Sequence, residues 1–495
     1  MQQTKDFHQR IDKALHNQQV RHNIRSVMSS LMLKRAAQFP DEQQLQKNRQ
    51  QARSIRHTAL AAQPELLEQL ERNLTANGIK VHWAETAQQA NDIIFNILNV
   101  AGARSVVKGK SMVSEEIALN HFLEQRDIEV IESDLGEFII QLAHEPPSHI
   151  VVPAIHKNRK QVAELFKQFY PELPYTENVD ELTQLARQIL REKFEKADAG
   201  ISGVNFAIAE TGTLCLVENE GNGRLSTTTP DLHIAITGIE KVIGKLEDIP
   251  QLLNMLTKSA TGQPITTYFN MISKPRQIGT NGMQGEKDGP RAVHLVLLDN
   301  GRSRIRQDDE LIDTLRCIRC GSCINHCPVY VQLGGHAYGT TYPGPIGSVL
   351  EPQLFGLNHI GTLTSACSLC GACGEACPVK IPLPKLINRL RAESVRPAKG
   401  TDNLSVSLSG VPGVSGVSGV SGAGSMRKRS EAILWKIWQH LYSRPMLYKL
   451  FSLLATRLNF LTPPRLGGWT KYRSAPRPAN KSLQDLATKE GFDHE

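Results

Sequence analysis

Of the nine cysteines in 495 residues, eight fall in two short runs. The first run is CIRCGSCINHCPVY, from Cys317 to Tyr330, and the second is CSLCGACGEACPVK, from Cys367 to Lys380. Cys317, Cys320, Cys323, Cys327 and Pro328 recur fifty positions later as Cys367, Cys370, Cys373, Cys377 and Pro378. This C-x2-C-x2-C-x3-C-P spacing is the ligand run of cluster-binding bacterial ferredoxins, in which the fourth cysteine of each run serves the other cluster of a pair. The expectation is two [4Fe–4S] clusters. One is held by Cys317, Cys320, Cys323 and Cys377, the other by Cys367, Cys370, Cys373 and Cys327. Three thiolates wrapping one face of a cubane require a tight loop, which the small residues Gly321, Ser322, Gly371 and Ala372 permit. Structural zinc is the competing reading. It favours two separated C-x2-4-C pairs over a doubled run of four cysteines and a proline. Ile318, Ile324, Val329, Leu369, Val379 and Ile381 would exclude water and help set the potentials. The intervening HAYGTTYPGPIG suggests packing around the clusters more than chemistry of its own.

The elements that must position these thiols read as several blocks. Residues 1–75 are charged and helical, with few β-branched residues. From 76 to 302, short β-branched runs (IKVHW, RSVVKG, IEVIES, HIVVPAI, VNFAIAE, TLCLVEN, HIAITG, AVHLVLLD) alternate with helix-like stretches such as AQQANDIIFNILNVA and SEEIALNHFLEQR. That alternation predicts an α/β domain with a mainly parallel sheet. The mostly helical cysteine module occupies 303–400, and a Gly/Ser/Val-rich tether follows over 401–426. The last block, 427–495, reads as helical. Ile433, Leu434, Ile437, Trp438 and Leu441 share one face of its first helix, with Ser430 as the expected N-cap.

The net charge of +8 lies on this tail, which carries thirteen Lys and Arg against five Asp and Glu; the remaining 426 residues carry 44 of each sign. A neutral body argues against nucleic-acid binding, which needs a broad basic face. The N-terminus has no apolar signal region, and no stretch of eighteen apolar residues occurs. The chain is therefore expected to be soluble and cytoplasmic, where tightly spaced cysteines serve as metal ligands. For the tail, with Trp435, Trp438 and Trp469, two readings stand. Docking onto a partner or the cluster module is favoured over peripheral contact with the inner face of a membrane, near a quinone-linked acceptor.

The α/β block offers three polar stretches where strands of open sheets present ligand sites. The first, Ala209 to Gly238, carries Glu210, Thr211, Glu218, Asn219, Glu220, Asn222, Arg224 and Thr227 to Thr229. The second places Lys108, Lys110 and Ser111 at a helix start that would suit an anion. The third ends in Asp299, Asn300 and Arg302. Ordinary turn chemistry explains each as well as binding does. Cys215, His233 and His294 read as core residues of strands.

Taken together, FHQRIDKAL, VVKGKSMVSEEI, AIAETGTLCLVENEGN, DGPRAVHLVLLDNGR, LRCIRCGSCINHCPVY, YPGPIGSVL, SLCGACGEACPVKIPL and GGWTKYRSAPRPANKS resemble the lactate utilization protein B family of bacterial iron–sulfur proteins. The resemblance covers nearly the whole chain apart from the VSG tether around 404–425. It implies a lactate-utilization (LUD) domain, similar in fold to NagB, ribose-5-phosphate isomerase (RpiA) and the CoA transferases, ahead of the cluster module. It also implies an electron carrier in L-lactate oxidation to pyruvate, beside a cysteine-rich iron–sulfur protein and a second, smaller LUD protein. No catalytic residue transfers with it. The alternative is an acyl- or CoA-transferase-like enzyme with an accessory relay, suggested by ENEG at Glu218 to Gly221.

Overall fold

The computed structural model describes residues 2–276, 289–394, 429–461 and 479–491. The chain divides into two units, Met1–Ala423 and Gly424–Glu495.

The first unit opens with four helices, Gln2–His16, Gln18–Gln38, Glu42–Ala61 and Gln63–Ala76. Asn17 and Asp41 cap the second and third by accepting from the amides of Val20 and Gln44. The buried face of the second helix is apolar, with Ile24, Met28 and Leu31. The third differs. Its buried stripe runs Leu45, Arg49, Ala52, Arg56 and Ala59, so two arginines occupy core positions.

Six strands form a wholly parallel sheet: β1 (Lys80–Ala84), β2 (Ser105–Lys108), β3 (Glu129–Glu132), β4 (Ala199–Gly203), β7 (Leu232–Gly238) and β10 (Ala292–Leu298). Their order is β1-β10-β7-β4-β2-β3. Every residue of β7 is buried, as a strand covered on both faces requires. A second sheet joins β5 (Phe206–Ile208), β6 (Thr213–Glu218), β8 (Val242–Ile243) and β9 (Tyr268–Ile272) in the order β8-β5-β6-β9. The expected α/β architecture with a mainly parallel sheet is present.

One expected strand is absent. HIVVPAI forms bends and turns instead. The His149 ring nitrogen Nδ1 accepts from the amides of Val151 and Val152, both at 3.1 Å, while Nε2 meets Asn325 Oδ1 at 2.9 Å. The segment thus folds around an imidazole anchored in the cysteine module. Conversely, AGISG was not read as a strand, yet it forms β4. A Cβ at Gly200 would lie 1.7 Å from the Ser226 carbonyl oxygen, so the helix Asn222–Thr228 packs directly on strand backbone. The stretch SEEIALNHFLEQR yields two short helices, Met112–Glu116 and Leu119–Glu124, broken at Ala118 in the left-handed region (φ 52°).

The cysteine module is built from short helices, including Ser322–Asn325, Pro328–Leu333, Gly344–Phe355, Ala372–Ala376 and Leu383–Ser394. One apolar core runs from Phe7, Ile24 and Met28 through Ile150 and Phe206 to Ile318, Ile324, Val379 and Leu386. The thiols therefore sit against both the N-terminal helices and the α/β body.

The second unit contains the helices Arg429–Tyr442, Pro445–Arg457 and Leu483–Lys489. Ser430 lies inside the first of these instead of capping it. Ile433, Leu434, Ile437 and Trp438 are exposed. Trp469 and the tether 401–426 lie outside the described residues. Among the described residues, no helix is long and apolar enough to cross a membrane.

Candidate iron–sulfur centre

The two cysteine runs repeat in backbone conformation as well as in sequence. Arg319 and Leu369 both adopt positive φ (60° and 56°), and so do Gly321 and Gly371 (76° and 89°). Two left-handed residues among three cysteines coil the chain so that amides turn back on sulfur. The Arg319 amide donates to Cys317 Sγ at 3.4 Å and the Leu369 amide to Cys367 Sγ at 3.3 Å. Tyr330 and Ile381 donate likewise to Cys327 and Cys377, at 3.5 and 3.4 Å. Pro328 opens a helix, as proline's fixed φ and missing N–H allow.

Sulfurs from both runs meet. Cys317, Cys320, Cys323 and Cys377 line one pocket, with Ile150, Ile318, Ile346, Val379 and Ile381 as its apolar wall. Burial, then the charges of Cys377 and Cys317, push the Cys320 thiol up. Burial also drives Cys373 to about 12, helped by Cys327, Cys367 and Cys370. Cys377 thus acts on Cys320 and Cys327 on Cys373, so the last cysteine of each run stands close to the other run. A thiolate set this buried needs cationic charge at its centre to be ionised.

The residues fit an iron–sulfur group. Four thiols lining one pocket, with backbone N–H groups directed at Cys317 and Cys377, suit a cubane.

The two sets differ in surroundings. Cys320, Cys323 and Cys377 are buried, whereas Cys370 is exposed and Cys367 half-buried. Cations crowd the first set. Arg49 donates to the carbonyls of Cys377 (2.9 Å) and Gly374 (2.8 Å), and Arg35 to that of Ala376 (3.2 Å). Arg56 donates to the carbonyls of Leu315 (2.9 Å), Val242 (3.2 Å), Arg316 (3.3 Å) and Glu240. Buried Lys241 feels the Cys317 charge, but burial and the neighbouring Arg319 bring its ammonium down to about 7. Around the second set stand the buried phenols Tyr330 and Tyr338 and the cation Arg391, which donates to the Cys367 carbonyl at 2.6 Å. Sequence reasoning missed Arg49 and Arg56. Their signal was present, as arginines at core spacing on an otherwise apolar helical stripe.

The polar stretches of the α/β body are mostly occupied by internal pairing. Lys108 is fully buried, with Glu132 at 2.8 Å and Glu115 at 3.1 Å, so its charge is not offered to an anion. Lys110 holds Asp134 (3.3 Å) and the Val151 carbonyl (2.9 Å), while Ser111 caps the helix Met112–Glu116. Glu218 accepts from Gly223 N, Arg224 N and Asn270 Nδ2, between 2.5 and 2.8 Å, and so acts as a helix cap and not as a free nucleophile. Burial, then Asp134, raises the Glu220 carboxyl, which accepts from the Leu135 amide at 3.2 Å. Asp299 caps the turn at Ser303. Arg302 pairs with Glu116 through both terminal nitrogens (2.9 and 2.8 Å) and with Glu240 at 2.6 Å, and all three side chains are buried. Gly238 leaves room for this network, because a Cβ there would lie 2.0 Å from Glu240 Oε2. Tyr342 closes it, donating to Glu116 Oε2 at 2.8 Å. Tyr338 and Tyr342 of HAYGTTYPGPIG are both buried, as expected of a packing segment. His233, His294 and Cys215 are buried strand residues, with His233 bonded to Ser202 at 2.8 Å and His294 to His82 at 2.9 Å.

A parallel α/β body joined through one core to a doubled four-cysteine module defines a LUD-domain iron–sulfur protein. Family models match accordingly: the LUD domain over residues 67–298, the 4Fe-4S dicluster domain over 313–381, and the C-terminal region of lactate utilisation protein B over 410–492. The chain is 40% identical to lactate utilization protein B of Shouchella clausii (strain KSM-K16) over 494 residues, covering 97% of this chain and 96% of that one. It is 43% identical over 390 residues to a protein of Escherichia coli (strain K12) described as the uncharacterized electron transport protein YkgF, covering 78% and 80%. A crystal structure of a DUF162 family protein from Deinococcus radiodurans aligns with a TM-score of 0.27 at 17% identity, over 48% of this chain and 98% of that one. The chain belongs to the lactate utilization protein B family.

Proposed function

We propose that the chain is the iron–sulfur electron-transfer component of a system that oxidises L-lactate to pyruvate. The observation that supports this reading is the pocket lined by Cys317, Cys320, Cys323 and Cys377, which brings the last cysteine of the second run to the first three of the first; two sets of four are the assignment that extends it to all eight thiols. The first set is Cys317, Cys320, Cys323 and Cys377; the second is Cys367, Cys370, Cys373 and Cys327. Two [4Fe–4S] groups bound there would each supply reversible one-electron storage. The protein's part is to direct four amides at sulfur, wall out water with Ile150, Ile318 and Val379, and set the charge around each site. The partners of this reading are those that the family resemblance implies. A cysteine-rich iron–sulfur protein and a second LUD-domain protein would supply the dehydrogenation and share the electrons. The apolar faces of the C-terminal helices would dock onto such a partner.

The test is iron analysis and anaerobic EPR on the purified chain, before and after L-lactate is added with the two partner proteins. About eight irons per chain, with a reduced signal that needs both lactate and partners, is the expected result. Reduction by lactate with no partner present would move the catalysis into this chain and overturn the carrier reading.

Unequal surroundings predict unequal potentials. Buried cations favour the reduced state of a nearby group, so the set containing Cys317 should have the higher potential. At pH 6, where the Lys241 ammonium is charged, Lys241→Met is expected to lower that potential by roughly 60 mV, the one-electron equivalent of a tenfold change in equilibrium, and to move the other by much less. Equal shifts of both in potentiometric EPR would contradict the asymmetry.

A further inference from the structure

Outside the cysteine sets lies a group of side chains that electron transfer leaves unused. Glu145 follows His144, a left-handed residue (φ 52°) after the helix Leu135–Leu142. His156 closes the turn-rich stretch that HIVVPAI forms, and His336 lies just beyond the helix Pro328–Leu333. One ligand atom from each of the three lies within 4.8 Å of the other two. The imidazole centroids are 4.5 Å apart with planes at 64°.

The hydrogen bonds around these residues prepare them as ligands. His336 Nε2 donates to the Pro146 carbonyl at 2.8 Å, which leaves Nδ1 as the nitrogen carrying a lone pair. A ligating histidine typically has its other nitrogen fixed in this way by a carbonyl. Glu145 Oε2 stands 2.6 Å from His156 Nε2, while Oε1 takes the Lys157 ammonium at 2.7 Å. One carboxylate oxygen is thus oriented by lysine, and the other accepts from the imidazole N–H, a proton that a bound ion would displace. His156 is buried, and its Nδ1 has no hydrogen-bond partner, a costly state for a ring nitrogen out of water.

We propose that Glu145, His156 and His336 bind a divalent ion of the zinc class, at a site separate from the iron–sulfur centres. Two imidazoles and one carboxylate are borderline ligands that suit zinc over magnesium or calcium, and three protein ligands leave a position for water. The ion would tie the α/β body to the segment between the cysteine runs. The same seam is already close: a Cβ at Gly335 would lie 1.8 Å from the Ser148 carbonyl oxygen, and Tyr330 donates to that oxygen at 2.7 Å.

The test uses the full chain with its clusters in place, under anaerobic conditions, with zinc chloride as the probe. Metal analysis should give one zinc per chain beyond the iron, and zinc-edge X-ray absorption should show nitrogen and oxygen ligands with no sulfur. His336→Ala should weaken zinc binding at least tenfold in calorimetric titration while iron per chain is unchanged. Glu145→Gln, which keeps the shape of the side chain, should weaken it similarly and guards against a folding defect in the first variant. A sulfur-ligated zinc, no zinc uptake, or uptake unchanged in both variants would overturn the proposal. These readouts do not depend on lactate, so the site stands or falls apart from the electron-transfer reading.

Discussion

Replacing Arg302 with methionine is expected to lower the stability of the body by about 3–5 kcal/mol at neutral pH, the range for removing one partner of a buried ion pair. The guanidinium is fully buried between Glu116 and Glu240, and its loss leaves Glu116 in the core without its ion-pair partner and Glu240 with Arg319 at 3.3 Å. The penalty should depend on pH with a definite sign. Burial pushes the Glu240 carboxyl up, but Arg302 and then Arg319 outweigh it and hold it down to about 2. In the parent that contribution is fully present above the unfolded carboxylate range and is lost as pH falls toward 2. In the variant both carboxyls rise and can take up protons, so the difference between the two proteins should shrink from pH 7.5 to pH 5. Adding Glu116→Gln should recover much of the loss, because Glu240 keeps Arg319 and no unpaired carboxylate is then buried. Chemical-denaturation midpoints followed by near-UV circular dichroism check this. A variant within 1 kcal/mol of the parent would show that the network is solvated and carries little.

The second large effect concerns which cysteines belong together. If each set draws on both runs, Cys317→Ala with Cys377→Ala strips one set and leaves the other whole, so about four of about eight irons remain. Cys317→Ala with Cys327→Ala instead removes one thiol from each set, and both groups should be lost or severely depleted. If each run held its own group, the two double variants would exchange outcomes. The pocket shared by Cys317, Cys320, Cys323 and Cys377 favours the first result, as does the influence of Cys327 on Cys373. Arg49 strengthens the expectation. Its bonds to the carbonyls of Gly374 and Cys377 pin the end of the second run beside the N-terminal helices that also pack on the first.

Much of this was legible before any coordinates, where residue type and spacing carry their own chemistry. The fifty-residue cysteine repeat indicated an iron–sulfur module, and β-branched runs located β1, β2, β3, β5, β6, β7 and β10. The failures have physical causes. β4 was overlooked because close helix packing demands glycine where a strand normally shows branched residues. HIVVPAI looked like a strand, but its amides are satisfied by the His149 ring and not by a neighbouring strand. Lys108 and Glu218 looked like ligand-binding residues because polar residues after strands mark binding sites. Here tertiary pairing consumes them. The buried arginines were hidden because the carbonyls they satisfy lie as many as 328 residues away in the chain.

The pocket of four thiols also bears on how the protein is made. Its walls come from residue 150, residues 317 to 323, residue 346, and residues 377 to 383. A chain emerging from the ribosome has three of these sulfurs some fifty residues before the fourth, and its α/β wall well before either. Up to that moment the first run is an open, incomplete chelator, able to hold stray ions but not to enclose a cubane. On the proposed ligand set a cubane could be enclosed only once Cys377 has been made, and a truncated product ending before Cys377 would be unable to mature.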